Sequence, residues 1–214
     1  MPTPPVSSIP GPLLVLTGLT GVGKSDLLRA LAAEGRPILD LETLAEHSGS
    51  AFGALGRPPQ PSRTHFERAV GAILAPAGHD QVLWVEDTGP FLGSLPVPAA
   101  LCEAIESAAT VEVVAPRDAR LARLLTTYRH ARTRDLLRAV RRISPRLGAD
   151  RTATVVRLLR AGDRRAAFAV LISYYDEGYE HRRQRLSRTR MAAVDSSRHP
   201  VPALLRLEAS SAAV

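Results

Sequence analysis

Cysteine is almost missing from this 214-residue chain: Cys102 stands alone. A disulfide scaffold, a cysteine-rich zinc site and a two-cysteine redox motif are therefore all excluded. Lysine is as scarce, with Lys24 the one member among 28 basic side chains. Aromatic residues make up only 4%. No apolar run approaches the ~18–20 residues of a membrane span. The opening segment, MPTPPVSSIPGP, carries neither a basic stretch nor an apolar stretch, so no secretory signal is expected and a cytoplasmic location is. What remains is an ordinary globular composition, 45% hydrophobic and 23% charged, in a chain long enough to bury a core without metals or cross-links.

Charge is unevenly spread. Residues 1–116 hold 6 basic and 12 acidic side chains, whereas residues 117–190 hold 20 arginines against 7 acids. The second half thus carries +13, which points to an anionic partner or, more plainly, to solvated helix faces.

Residues 1–12, with five prolines, read as a disordered leader. Leu13-Leu14-Val15-Leu16 is the continuous apolar run of a strand buried on both faces. A helix follows from Ser25 to Ala33, then a strand at Pro37–Leu41. Thr64 and Glu67 form a capping box for the next helix. Val82–Val85 and Thr110–Val114 give two further strands, separated by a helix at Pro98–Ser107. From Arg117 the spacing turns helical, with Leu121, Leu124, Leu125 and Tyr128 on one face. The expected fold is α/β: a P-loop NTPase-like parallel sheet flanked by helices, with an arginine-rich, all-helical C-terminal half. The organisation expected is a core over 13–116, a helical extension over 117–180, and a basic then flexible tail over 181–214.

Gly18-Leu19-Thr20-Gly21-Val22-Gly23-Lys24-Ser25 satisfies G-x-x-x-x-G-K-[ST] between a buried strand and a helix, the context that gives the pattern meaning. Glycines let backbone N–H groups turn toward phosphate oxygens, and the helix N-terminus adds positive potential. Lys24 is placed to reach terminal phosphates, Ser25 to hold Mg²⁺, and Asp26 lies beside them. Ligands in parallel sheets sit beyond the carboxyl ends of the strands. Asp40 and Glu42, after the second strand, are then candidates for metal or proton chemistry, or else helix caps. Glu86, with Asp87, reads as a metal carboxylate or water-orienting base, or as a polar strand end. His47 is a candidate proton carrier or substrate contact. Arg120 is a candidate charge-stabilising lid residue. Arg138, Arg141 and Arg142 are candidate nucleic-acid contacts. Tyr175 either stacks on a base or fills the core.

The residues together resemble the P-loop domain of bacterial tRNA 2-selenouridine synthases. The resemblance rests on GLTGVGKS, on Asp40-Leu41-Glu42-x-Leu44-Ala45-x-His47-x-Gly49-Ser50-x-Phe52-Gly53, on Gln60-Pro61 and Phe66-Glu67, and on Trp84-Val85-Glu86-Asp87. Later matches are Arg120, Tyr128, Leu147-Gly148 and Tyr174-Tyr175-Asp176-x-x-Tyr179. It implies action on the wobble 2-thiouridine of tRNA through an S-geranylated intermediate, with a prenyl diphosphate rather than ATP in the loop. It also implies a rhodanese sulfurtransferase that carries the catalytic cysteine, here expected as a separate partner. The chain departs from the family at Ser48, where an arginine is usual, and at Thr88-Gly89-Pro90. A transferase or enzyme half is therefore the first reading. The second is a phosphotransferase using Mg²⁺ with ATP or GTP on a small-molecule acceptor. The third is a catalytically silent nucleotide-binding regulator.

Overall fold

The computed structural model describes residues 9–78, 81–185 and 188–211. Strand β1 (Leu13–Thr17) is buried along its whole length. Its side chains alternate, Leu13 and Val15 into one core cluster and Leu14 and Leu16 into another, so one apolar run serves both faces of the sheet. Helix α1 (Lys24–Ala33) follows, then β2 (Ile38–Leu39), α2 (Leu41–Leu44), α3 (Arg63–Leu74) and β3 (Leu83–Glu86). A small antiparallel pair, β4 (Phe91–Leu92) with β5 (Leu95–Pro96), leads to α4 (Ala99–Ser107) and β6 (Ala109–Val114). Four helices come next: α5 (Arg117–Thr127), α6 (Thr133–Leu147), α7 (Ala149–Arg160) and α8 (Arg164–Arg185). The chain ends in β7 (Arg190–Asp195) and α9 (Val201–Ser211).

The main sheet has the order β2-β3-β1-β6-β7, with every pairing parallel. Its β1 centre and the loop-to-helix turn after it make a P-loop NTPase-like core. One face packs on α3 and α4, the other on α1 and α9. A third cluster, built by α5 to α8, takes in Phe52 and stacks Tyr128 on Phe168 at 5.6 Å.

Four expectations are corrected here. The C-terminal half is not all helical, and 190–211 is not a tail, because β7 closes the sheet against β6 and α9 buries Leu204 beneath it. The leader begins earlier than expected to be ordered: Ile9 packs on the core and the Pro12 carbonyl accepts from Leu83 N. The remainder of that leader, residues 1–8, lies outside the described residues. Strand β2 stops at Leu39, since Asp40 already caps α2. Helix α3 starts under Ser62, whose side chain accepts from His65 N, rather than under Thr64.

Candidate functional site

The loop between β1 and α1 takes its shape from three left-handed glycines, Gly18 at φ 134°, Gly21 at φ 81° and Gly23 at φ 98°. Each needs a conformation that a side chain resists. At Gly18 a Cβ would also strike the Val113 carbonyl. The loop opens into a cavity of about 400 Å³ at the carboxyl ends of the strands. Gly18, Thr20, Gly21, Gly23, Lys24, Ser25 and Asp26 line it, as the motif predicts, while Val22 turns down into the core at 1% exposure.

Lys24 is half-buried and its Nζ donates to the Gly18 carbonyl at 2.8 Å. Burial lowers its pKa, opposed by the charges of Glu86, Glu42 and Asp87. Glu86, at the end of β3, is buried, and its Oε1 has no hydrogen-bond partner among the described residues. Loss of water raises its pKa, with Lys24 and the Ser25 hydroxyl beside it pulling the other way. Glu42 is pushed up to about 8, by burial first and by the Glu86 charge second. Two carboxyls and one amine thus share a cavity in which their charges depend on each other.

The other predicted residues divide. Asp40 is spent: its carboxylate accepts from Thr43 N at 2.9 Å and from Thr43 Oγ1 at 2.7 Å. Asp87 is spent as well, bound by Arg182 at 3.2 Å and by Arg188 at 2.8 Å. Arg120 is no lid. It is 3% exposed, grips Asp176 with both terminal nitrogens and donates from Nε to the Thr20 carbonyl at 2.9 Å. Its neighbour one turn on, Arg123, is the cavity arginine, donating to the Gly21 carbonyl at 2.6 Å. His47 is 7% exposed, lies under the Ser48–Gly53 turn outside the cavity lining, and has its pKa lowered by burial and by Arg57. Tyr175 does line the cavity, with its hydroxyl buried and its pKa raised by that burial. Arg138, Arg141 and Arg142 stand exposed on α6.

Sequence reasoning missed Arg57 and Arg182, which with Arg123 put positive charge around the cavity, and the place of the turn Ser48-Gly49-Ser50 in its lining. Only the Gly49 turn, at φ 60°, left a local signal. Arg123 and Arg182 come from α5 and α8 and Arg57 from the segment between α2 and α3, and no spacing reveals their approach to the loop.

Residues 11–211 match the family model described as the tRNA 2-selenouridine synthase AAA domain. The chain belongs to this family. It is 33% identical over 199 residues to the tRNA 2-selenouridine synthase of Chromohalobacter salexigens, covering 79% of this chain and 53% of that protein. The tRNA 2-selenouridine synthase of Cupriavidus pinatubonensis is 33% identical over 207 residues, covering 80% of this chain and 54% of that one. The chain therefore spans about half the length of these curated relatives. Among solved structures, a gluconokinase from Sinorhizobium meliloti 1021 aligns at TM-score 0.40 and 17% identity, over 96% of this chain and 93% of that one. Among the described residues no helix is long and apolar enough to cross a membrane.

Within this AAA-domain family the phosphate loop is intact here. As for magnesium, no cluster of three or more acidic, histidine or cysteine side chains exists among the described residues. Mg²⁺ does not need one, because it is commonly held by one or two carboxylates together with substrate phosphates and water. The unpartnered Glu86 oxygen beside Ser25 is a hard donor set of that kind, and the residues fit the ion. Asp40, committed to Thr43, does not belong to the set.

Proposed function

We propose that this domain binds the diphosphate of a prenyl diphosphate in the Gly18–Ser25 loop and transfers the prenyl group to the sulfur of a wobble 2-thiouridine in tRNA. The observation that carries the reading is the cavity itself: a phosphate loop facing Glu42, an acid that titrates near neutrality, in a member of a tRNA-modifying family. In the transfer a carbon–sulfur bond forms, the carbon–oxygen bond to diphosphate breaks, and diphosphate leaves. The N3 proton of the thiouridine must go to a base, and Glu42 is the residue we assign. A base whose pKa lies near the working pH combines availability with driving force.

Loop N–H groups, Lys24 and Arg123 receive the charge that develops on the leaving diphosphate. Ser25 and Glu86 would hold Mg²⁺, whose contribution when bound is to neutralise phosphate charge. The exposed arginines of α6, which include Arg138, Arg141 and Arg142, supply a surface for the tRNA backbone. Exchange of sulfur for selenium falls outside the chemistry of this domain, since Cys102 does not line the cavity and its thiol pKa is raised by burial and by Glu106.

The deciding experiment incubates the protein with 2-thiouridine tRNA and geranyl diphosphate, with and without Mg²⁺, and analyses the nucleosides by mass spectrometry. Geranylated thiouridine is the expected product. Tight ATP binding with phosphate transfer to a small acceptor, and no geranylation, would replace this reading with the phosphotransferase. Binding of either ligand without turnover would make the domain a regulator.

A further inference from the structure

A second cavity, of about 300 Å³, lies against the first. Asp87, Tyr179 and Arg182 line both and form the wall between them. Its floor comes from the sheet. On β6 the residues Val111 and Val113 enter the core with α1 and α9, so alternation turns Thr110 and Glu112 to the opposite face. The end of α8 adds Arg182 and Arg183, and the segment entering β7 adds Arg188 and Arg190.

Four arginines therefore face two carboxylates, and both carboxylates are already engaged. Asp87 is shared by Arg182 and Arg188, while Glu112 accepts from Arg190 at 2.6 Å. Arg183 reaches back to Glu180 on its own helix at 2.7 Å. Arg188 is the telling group. Its side chain is 7% exposed, its Nε donates to the Glu106 carbonyl at 3.2 Å, and its Nη1 to Asp87. Its remaining terminal nitrogen is buried without any hydrogen-bond partner among the described residues. A buried, charged donor left unmet costs free energy that an acceptor would recover. One Asp87 charge also cannot neutralise two guanidiniums.

We propose that this cavity is a second oxyanion site, taking a small phosphate-class anion: inorganic phosphate or a phosphate monoester. Arginine forks match such oxyanions in geometry as well as charge. The depth of Arg188 and the size of the cavity favour a small free anion over an RNA backbone. The inference goes beyond the proposed prenyl transfer and places a second anionic reactant or effector one wall away from the phosphate loop.

The test separates the two sites by disabling the first. In the full chain carrying Lys24→Ala, isothermal titration with inorganic phosphate should still show one site per molecule. Adding Arg188→Gln should weaken that binding at least tenfold. Adding Arg183→Gln, an exposed substitution that leaves Asp87 and its partners in place, should weaken it several-fold; thermal melts establish that each variant is folded. Lys24→Ala protein that binds no phosphate overturns the proposal, as does binding unmoved in the folded Arg188→Gln or Arg183→Gln variants. Phosphate displaced by tRNA from this cavity would assign the arginines to the RNA backbone and overturn the small-anion reading. Loss of geranyl diphosphate binding in Lys24→Ala belongs to the first cavity alone, so failure of one site does not imply failure of the other.

Discussion

Glu42 holds its proton at pH 7 in a folded chain whose unfolded counterpart would release it, because its pKa rises from an ordinary carboxyl value to about 8. A raised folded pKa stabilises the fold fully below the unfolded value, and that stabilisation is lost as pH climbs through about 8. Glu86 is shifted in the same direction. Thermal melts should therefore show stability falling between pH 5 and pH 8, with Glu42→Gln visibly flattening the fall; parallel curves for wild type and variant would refute the assignment. The same proton governs catalysis with opposite sign, since transfer needs the base form. The rate of geranylation should rise with pH toward about 8 and lose that rise in Glu42→Gln. Lys24→Ala should abolish geranyl diphosphate binding while the protein stays folded, checked by calorimetry beside circular dichroism. Cys102→Ser should leave turnover unchanged, because this half-buried thiol on α4, held near the Val97 carbonyl, has no part in the cavity.

Helix α5 shows how one element serves two ends. Arg120 and Arg123, three residues apart, both reach the phosphate loop, but the first ties it to Asp176 of α8 from below and the second stands in the cavity. Arg120→Ala strands a carboxylate and a loop carbonyl, and should cost about 3 kcal/mol of stability. That loss corresponds to a melting temperature lower by roughly 6–12 °C. Arg123→Ala should barely move the melting temperature yet weaken diphosphate binding about tenfold; the reverse pattern would exchange their roles. Sequence could not separate the two, because what distinguishes them is Asp176, 56 residues away from Arg120. The elements legible in advance were those whose physics is local. Strands β1 and β3 announced themselves as apolar runs, since the centre of a parallel sheet is covered on both faces, and β6 by valines that alternate with Thr110 and Glu112. The loop announced itself by its glycines and by the lone lysine. Strand β7 did not: at the edge, RMAAVD keeps just one fully buried residue, Val194, and carries a charge at each end. Asp40 stayed open between ligand and cap, since a carboxylate after a strand looks alike in either role, and the structure shows the cap.

Across the whole molecule the charge divides, with the excess of arginine after residue 117 and the excess of acid before it. On α6, Arg138 is paired with Asp135, whereas Arg141 and Arg142 are exposed with no ion pair among the described residues. Reversing Arg138, Arg141 and Arg142 together should reduce the slope of log affinity for tRNA against log salt by about 2, as contacts that release counterions are lost. Filter binding across a salt series measures it, and an unchanged slope would remove α6 from the interface. Strand order carries a different kind of consequence. The sheet is finished by β7, and α9 then pins the interior through Glu208, which accepts from the Trp84 indole at 3.1 Å. Both follow the phosphate loop and the four helices in chain order. During synthesis the β6 edge waits unpaired while the loop, the four helices and the arginines of α8 have already emerged, and an open edge is a template for foreign strands. A chain truncated after Arg185 should thus be cut readily by protease and held by chaperones. Pairing of β7 with β6, rather than filling of the cavity, is then the step that closes this edge of the sheet.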